Sequence, residues 1–523
     1  MVKKKSLTML LALVVVFSML AACSNNSGNK GDNGATSNPS NNAGSNQSSN
    51  ANTEEGNEAS DLEPYELVMA IPIIGAIPKD FELVEAEINK ITQAKINTTV
   101  EILPIGVGNY LEQLNLKFSS GEKFDLSFMF GGVGLYGPNV ASGKYLAIDE
   151  LLEEYGQGII EAVGTDYIRA PQINGKLYAT PIVSSYGSGV GYYMRKDIVD
   201  KHNIDVSSIK TLEDIGNVLK IVKDNEPSII PLGMTFGVGP VSTFTDYDNL
   251  TDGFGILPFN SDDMKVVNYW ETEGFKEKAE LVHEWFKAGY INKDAATTTV
   301  LPSDQMAGGR TFSYFSPSTP FAAQDATRNT GIEIVGVDLQ QPYVTTSSVL
   351  NGLWTIAQQS EDPARAMMFL NLMYTDAEIV NLLTWGIEGT HYVKISDNQV
   401  DFAESVDAQN SGYYMYSNAW MLGNSRLAYL SKDEDPNKWE IDKQWMANAI
   451  PSPALGFTFD VEPVKNEKIA LQNVNDKYFG LLMTGSIDPN HKLPELLDEL
   501  NKAGLEKYLA EKQKQFDAWL AAK

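Results

Sequence analysis

Glu66-Leu-Val-Met-Ala-Ile71, Thr98-Thr-Val-Glu-Ile-Leu-Pro-Ile105 and Phe124-Asp-Leu-Ser-Phe-Met-Phe130 are three short runs of β-branched and large apolar residues, and the chain between them decides the fold. After Pro78, the apolar residues Phe81, Val84, Ile88 and Ile91 recur at helical spacing, which predicts a helix between the first two strands. Leu111, Leu114 and Phe118 predict a second helix, and Gly121 can end it. The order is β-α-β-α-β, the grammar of a parallel sheet covered by helices.

The same grammar returns later. Residues 191–194 read as the end of a strand, and Thr211 with Asp214 makes a capping pair ahead of Leu212, Ile215, Leu219 and Val222. Residues 228–234 read as a strand, and Phe275, Val282 and Trp285 mark an amphipathic helix closed by Gly289. Residues 332–337 and 353–357 read as further strands. Asp362-Pro363 opens a helix carrying Ala366, Met367, Leu370 and Met373. Two α/β units fit this better than one. The last stretch, 493–519, reads as a helical cap with an apolar stripe at Leu496, Leu500, Tyr508 and Trp519.

At the other end, Lys3, Lys4 and Lys5 precede an uncharged apolar stretch from Leu7 to Leu20, and Leu20-Ala-Ala-Cys23 follows. This predicts a secretory signal over 1–22 and lipid attachment at Cys23, the only cysteine of the chain. From Ser24 to about Asn52 the residues are nearly all Asn, Ser and Gly, too polar to form a core, so 23–61 is expected to be a flexible tether. The expected place of work is the outer face of the cell membrane, in the extracellular or cell-wall space.

Composition excludes several partners. The formal charge is −28, and it becomes −31 when Lys3, Lys4 and Lys5 leave with the signal, which argues against nucleic acid. A single cysteine cannot form an internal disulfide, so stability must come from packing. Gly132-Val-Gly-Leu-Tyr-Gly137 matches the spacing of a dinucleotide fingerprint, but Pro138-Asn139 and Ser142-Gly143 interrupt the helix that motif needs, and it follows the third strand rather than the first. Histidines 202, 283, 391 and 491 show no metal spacing. Asp246, Asp248 and Asp252 fail as a calcium loop because Leu250 stands at its fifth position. Abundant carboxylates alone do not argue for a glycosidase. No catalytic residue, cofactor or metal is expected. Aromatic residues in loop-like surroundings, among them Tyr136, Phe244, Tyr314, Phe315, Trp420 and Phe457, suit the apolar faces of sugar rings, although such residues are as often core.

Several stretches resemble the extracellular solute-binding proteins of bacterial ABC importers, in particular the carbohydrate-binding group that includes maltose-binding protein. They are Glu122-Lys-Phe-Asp-Leu-Ser-Phe-Met-Phe130, Asn174-Gly-Lys-Leu-Tyr-Ala-Thr-Pro181, Gly191-Tyr-Tyr-Met-Arg-Lys-Asp197, Thr211-Leu-Glu-Asp214 and Asp362-Pro-Ala-Arg-Ala-Met-Met-Phe-Leu370. Phe124 stands where that family usually has proline. The resemblance implies an α/β fold of two lobes with a hinge between them and a helical C-terminal cap. Lobe one is expected at 62–182 and 339–375, and lobe two at 183–338 and 376–523. It further implies capture of a sugar or oligosaccharide in the interlobe cleft, delivery to ABC permease subunits, and a monomeric protein that is not an enzyme. Peptide is the within-class alternative; a surface sensor or adhesion lipoprotein and, less favoured, a glycoside hydrolase are the rival functions. By position in the family pattern, the ligand residues are Tyr136 in lobe one, Ser185 at the hinge, Phe244, Asp246, Tyr314 and Phe315 in lobe two, and Glu388, Phe457 and Phe459 from later segments.

Overall fold

In strand β1 (Tyr65–Ile73), every residue from Leu67 onward is buried, the signature of a strand covered on both faces. The computed structural model describes residues 62–131, 136–236, 239–244, 246–259 and 262–523. The expected signal, Cys23 and tether lie outside the described residues, as does Gly132-Val-Gly-Leu135 of the glycine-rich stretch.

Helix α1 (Phe81–Ile96) buries Phe81, Val84 and Ile88 and ends at Asn97, which takes the left-handed conformation (φ 46°) that asparagine tolerates. It leads into β2 (Thr98–Gly106), parallel to β1 from Tyr65↔Thr98 to Ile73↔Gly106. Helix α2 (Val107–Ser120) ends at Gly121, and β3 (Leu126–Met129) joins the other side of β1. The chain then reaches β4 (Thr180–Pro181), crosses over residues 182–187 and enters β5 (Ser188–Arg195) of a second sheet.

In the second lobe, Thr211 caps α3 (Leu212–Asn225) in a full capping box with Asp214, as its sequence predicts. Next come β6 (Ile230–Leu232), α4 (Glu273–Lys287), β7 (Thr311–Ser318) and β8 (Ile334–Val344). Strand β8 is longer than the expected 332–337 and stays in the second sheet to Val344, so residues 339–344 do not begin the return to the first lobe. That return comes over 345–352, and β9 (Leu353–Ile356) pairs with both β3 and β4.

Helices α5 (Pro363–Thr375) and α6 (Ala377–Trp385) follow, and Asp362 and Asp376 cap them by accepting backbone N–H groups. A small sheet of β10 (Tyr392–Lys394), β11 (Gln399–Phe402) and β12 (Leu430–Ser431) comes next. This region was expected in the second lobe. It packs instead on the first: Ile379, Leu383, Tyr413, Met415 and Met421 share a core with β1, Phe128 and Trp354. The reason is long-range hydrogen bonding, from Asp80 N to Gly412 O (3.0 Å) and between Asn418 and the backbone of Ile74 (2.8 and 3.1 Å).

The chain crosses a third time through α7 (Lys438–Ala447) to β13 (Ile450–Pro451), which pairs with the end of β8. Helices α8 (Lys465–Met483), α9 (Pro489–Lys502) and α10 (Leu505–Ala522) close the second lobe. Leu496, Leu500 and Tyr508 of the expected stripe are fully buried there, in one core with Tyr192, Leu219, Val282 and Phe312. The two sheets run β2-β1-β3-β9-β4 and β13-β8-β5-β7-β6.

An ionic network fastens the last helix. Lys512 is 0 % exposed and its ammonium donates to the Asp252 carboxylate and to Gly255 O (3.3 Å). The Tyr508 hydroxyl donates to the same carboxylate, and Lys468 Nζ lies 3.7 Å from it. Burial opposes ionisation of Asp252, but the charges of Lys512 and Lys468 outweigh it and hold the carboxyl below its ordinary range.

Candidate functional site

In the first sheet β1, β2, β3 and β4 all point toward the crossing segments, and in the second β6, β7, β8 and β13 do the same. Open α/β sheets bind ligands beyond the carboxyl ends of such strands. Here those ends face one another across three crossings, at 182–187, 345–352 and 432–449.

The local geometry at the exit of β8 is unusual. Its pairing with β5 slips twice, between Asp338 and Gln340 and again between Gln340 and Tyr343. Bulges of this kind bend a strand and re-aim its side chains, and they recur beside functional sites. A cavity of about 410 Å³ opens here, lined by Ser318 from the end of β7, Asp338 and Gln340 from the bulged strand, and Trp445 and Asn448 from the third crossing. The Ser318 hydroxyl donates to the Asp338 carboxylate. Trp445 is held against the first crossing: a Cβ on Gly187 would come within 3.1 Å of its ring, so a larger residue there would press on the indole. A smaller cavity of about 200 Å³ shares Gln340 and is lined by Ser188, Thr243, Tyr247, Phe259 and Tyr343 among others. Phe259 and Tyr343 stack face to face there, 3.9 Å apart and 5° from parallel.

Polar contacts also tie the crossings together. Ser185 donates to Asp442 of α7, and Arg426 grips the other carboxylate oxygen of Asp442 through Nη2 (2.6 Å) and Nε (3.2 Å). Glu434 accepts from Tyr416 and from Lys438 (2.6 Å), and it faces Arg328 of the second lobe at 3.7 Å. On the first lobe, Phe130 and Trp420, both half-buried, lie 6.4 Å apart at the end of β3. An aromatic face beside carboxamide, carboxylate and hydroxyl groups suits a hydroxyl-rich ligand with apolar patches.

The nine residues expected to bind ligand are not brought to one place. Tyr136 (2 % exposed) donates its hydroxyl to Pro171 O (2.7 Å) inside a satellite core with Met129, Tyr145 and Leu353. Tyr314 stacks on Tyr193 at 5.5 Å and Phe315 packs tilted against Tyr192 at 5.2 Å, because both faces of β7 are covered. Phe459 packs edge-on to Tyr508 in the second core. Phe244 is half-buried, and Lys278 donates to its carbonyl (2.6 Å). Asp246 is exposed and 3.6 Å from Lys278. Glu388 is exposed beside β10 and 3.4 Å from Lys394. Ser185 alone lies among the crossings at the cleft, and Phe457 lines a different cavity considered below. Trp445 is not marked in the sequence, because α7 has no apolar stripe to draw attention to it. Its close approach to Gly187 is evident only in the fold.

The fold, the paired carboxyl ends and the hinge-side cleft define a binding protein of two lobes. The chain belongs to the bacterial extracellular solute-binding protein family, whose model matches residues 77–379; residues 453–521 match a separate domain of unknown function, DUF3502. A carbohydrate ABC transporter substrate-binding protein of Streptococcus pneumoniae serotype 4 is 30 % identical over 462 residues, covering 86 % of this chain and 90 % of the relative. The crystal structure of the N-glycan transport solute-binding protein NgtS of S. pneumoniae matches with a TM-score of 0.78 and 27 % identity, over 88 % of this chain and 99 % of that one. The same protein in complex with Man5GlcNAc matches with a TM-score of 0.68 and 28 % identity, over 88 % of this chain and 99 % of that one.

Proposed function

We propose that this protein captures a neutral oligosaccharide, of the class that includes mannose-rich N-glycan fragments, between its two lobes and hands it to an ABC import permease. The observation that carries this reading is the cavity at the bulged end of β8, where Trp445 offers a stacking face beside Asp338, Gln340 and Asn448. The NgtS relative, described as crystallised with Man1GlcNAc and with Man5GlcNAc, supports the substrate class. A ligand touching both lobes binds the closed arrangement more tightly and so shifts the population toward it. The lipoprotein signal ending at Cys23 and the Asn/Ser/Gly tether after it support an anchor on the outer face of the membrane, with the folded body working as a monomer.

A thermal-shift screen of the purified protein tests the reading. An oligosaccharide at one hundred times its dissociation constant stabilises by about 2.7 kcal/mol. Stabilisation by peptides with none by oligosaccharides would overturn the substrate class. Trp445→Ala is expected to weaken the responding sugar by about 2 kcal/mol, roughly thirtyfold, as loss of a central aromatic contact does, with a much smaller change in melting temperature because the ring is only partly buried. Isothermal titration of the two proteins measures the difference.

A further inference from the structure

A cavity of about 1080 Å³ is a separate place from the one just described. Its first-lobe wall is the turn of helix at Thr165–Ile168 and the hairpin around Asn174-Gly175; its second-lobe wall is the segment after β13 together with α10. Alternate residues of a strand face opposite ways. Val335 and Val337 of β8 face the core that includes Phe457, whereas the position of Gly336 faces Tyr193 and Ala323, and Asp338 continues that second face into the Trp445 cavity. The two cavities share no lining residue.

Three features of this cavity are those of a site rather than of a packing fault. Its volume matches the upper range of small-molecule pockets. It presents an aromatic ring on each wall, Tyr167 from the first lobe and Trp519 from the second, both half-buried, with Trp519 braced by Phe457 (5.9 Å) and Phe516 (5.8 Å). Finally, the Thr458 hydroxyl oxygen on its wall is buried and has no hydrogen-bond partner among the described residues. A buried hydroxyl without a partner costs free energy that a bound polar ligand would restore. The lining carries both signs, Asp166 and Asp460 with Arg169 and Lys523. Gln172 and Asn174 add carboxamide groups suited to hydroxyls.

We propose that this cavity is a second binding site, for a neutral saccharide stacked against Trp519 and hydrogen-bonded to Thr458 and the carboxamides of Gln172 and Asn174. It is filled independently of the Trp445 cavity and does not depend on that cavity's assignment. The experiment is 19F NMR of the full protein labelled with 5-fluorotryptophan, with the Trp445 and Trp519 signals assigned from Trp445→Phe and Trp519→Phe, titrated with Man1GlcNAc, Man5GlcNAc and maltotriose. The expected result is a saturable shift of the Trp519 signal whose midpoint differs from that of Trp445, with Thr458→Val weakening it at least tenfold. Thr458→Val is also expected to raise the melting temperature of the ligand-free protein, since it removes the unpaired hydroxyl, so weakened binding cannot be blamed on misfolding. A Trp519 signal that stays still while Trp445 responds overturns the second site and leaves the oligosaccharide reading intact. Movement of Trp519 without Trp445 supports the second site and removes the support for the first, and silence of both overturns the two together.

Discussion

Asp252→Asn is expected to lower the unfolding free energy by about 3–5 kcal/mol, because it leaves the ammonium of Lys512 buried without its counter-charge. Lys512 sits in the middle of α10, and its partner lies in the loop before α4, so the pair joins the last helix to a part of the second lobe more than 250 residues away. Tyr508 loses its acceptor in the same step, and Lys468 loses the charge 3.7 Å away. Chemical denaturation monitored by tryptophan fluorescence measures the loss; a change below about 1 kcal/mol would show that the network is hydrated and adds little. Exchanging both partners for apolar residues, Asp252→Leu with Lys512→Met, should cost far less than Asp252→Asn alone. The pH dependence has a defined sign. The folded-state pKa of Asp252 lies below the ordinary carboxylate value, so its contribution is complete above about pH 4 and fades as the pH falls through the lowered value. The gap between wild type and Asp252→Asn should therefore narrow in acid.

Tyr314→Ala is expected to cost about 3–5 kcal/mol of stability, as loss of a large buried aromatic does, while leaving ligand affinity unchanged in the protein that remains folded. The ring is 6 % exposed, stacked on Tyr193 and packed with Met306 and Ile334, and burial pushes its phenol up to about 12. Its family position alone points to the ligand; its surroundings assign it to the core between the second sheet and the helix Ala322–Thr330. Parallel calorimetric melting and sugar titration separate the two roles: weakened binding with an unchanged melting temperature would return Tyr314 to the cleft.

That contrast marks how far the sequence is legible. The β-α-β-α-β opening can be read because each element is set by near neighbours: apolar residues at helical spacing, Gly121 as a stop, and a capping box at Thr211. The crossings are less legible. Strand β8 runs to Val344 because β5 and β13 pair with it, and neither partner is near in sequence. Residues 377–431 join the first lobe through contacts such as Ile74 with Asn418, which no local pattern announces. The candidate cleft suffers most, because an aromatic residue in a loop and one in a covered strand look alike until burial tells them apart. Phe315 is of the second kind and Phe459 is buried although it lies in a loop, whereas Trp445, which lines the cavity, sits in a helix packed closely on Gly187.

Three segments, not two, thread the joint between the lobes, and Val183 of the first is tied to Gly423 at the approach to the third (2.7 Å) while β13 of the third pairs with β8 of the second. A joint strung on three side-by-side cords resists torsion, since swivelling one body on the other must lengthen the outer cords, yet it still folds about the line that runs across them. This geometry predicts one soft coordinate, closure about that line. Under the handover proposed above, a permease would have a single quantity to measure, how far the jaws are shut, and would be spared the ambiguity of a body that is shut but turned.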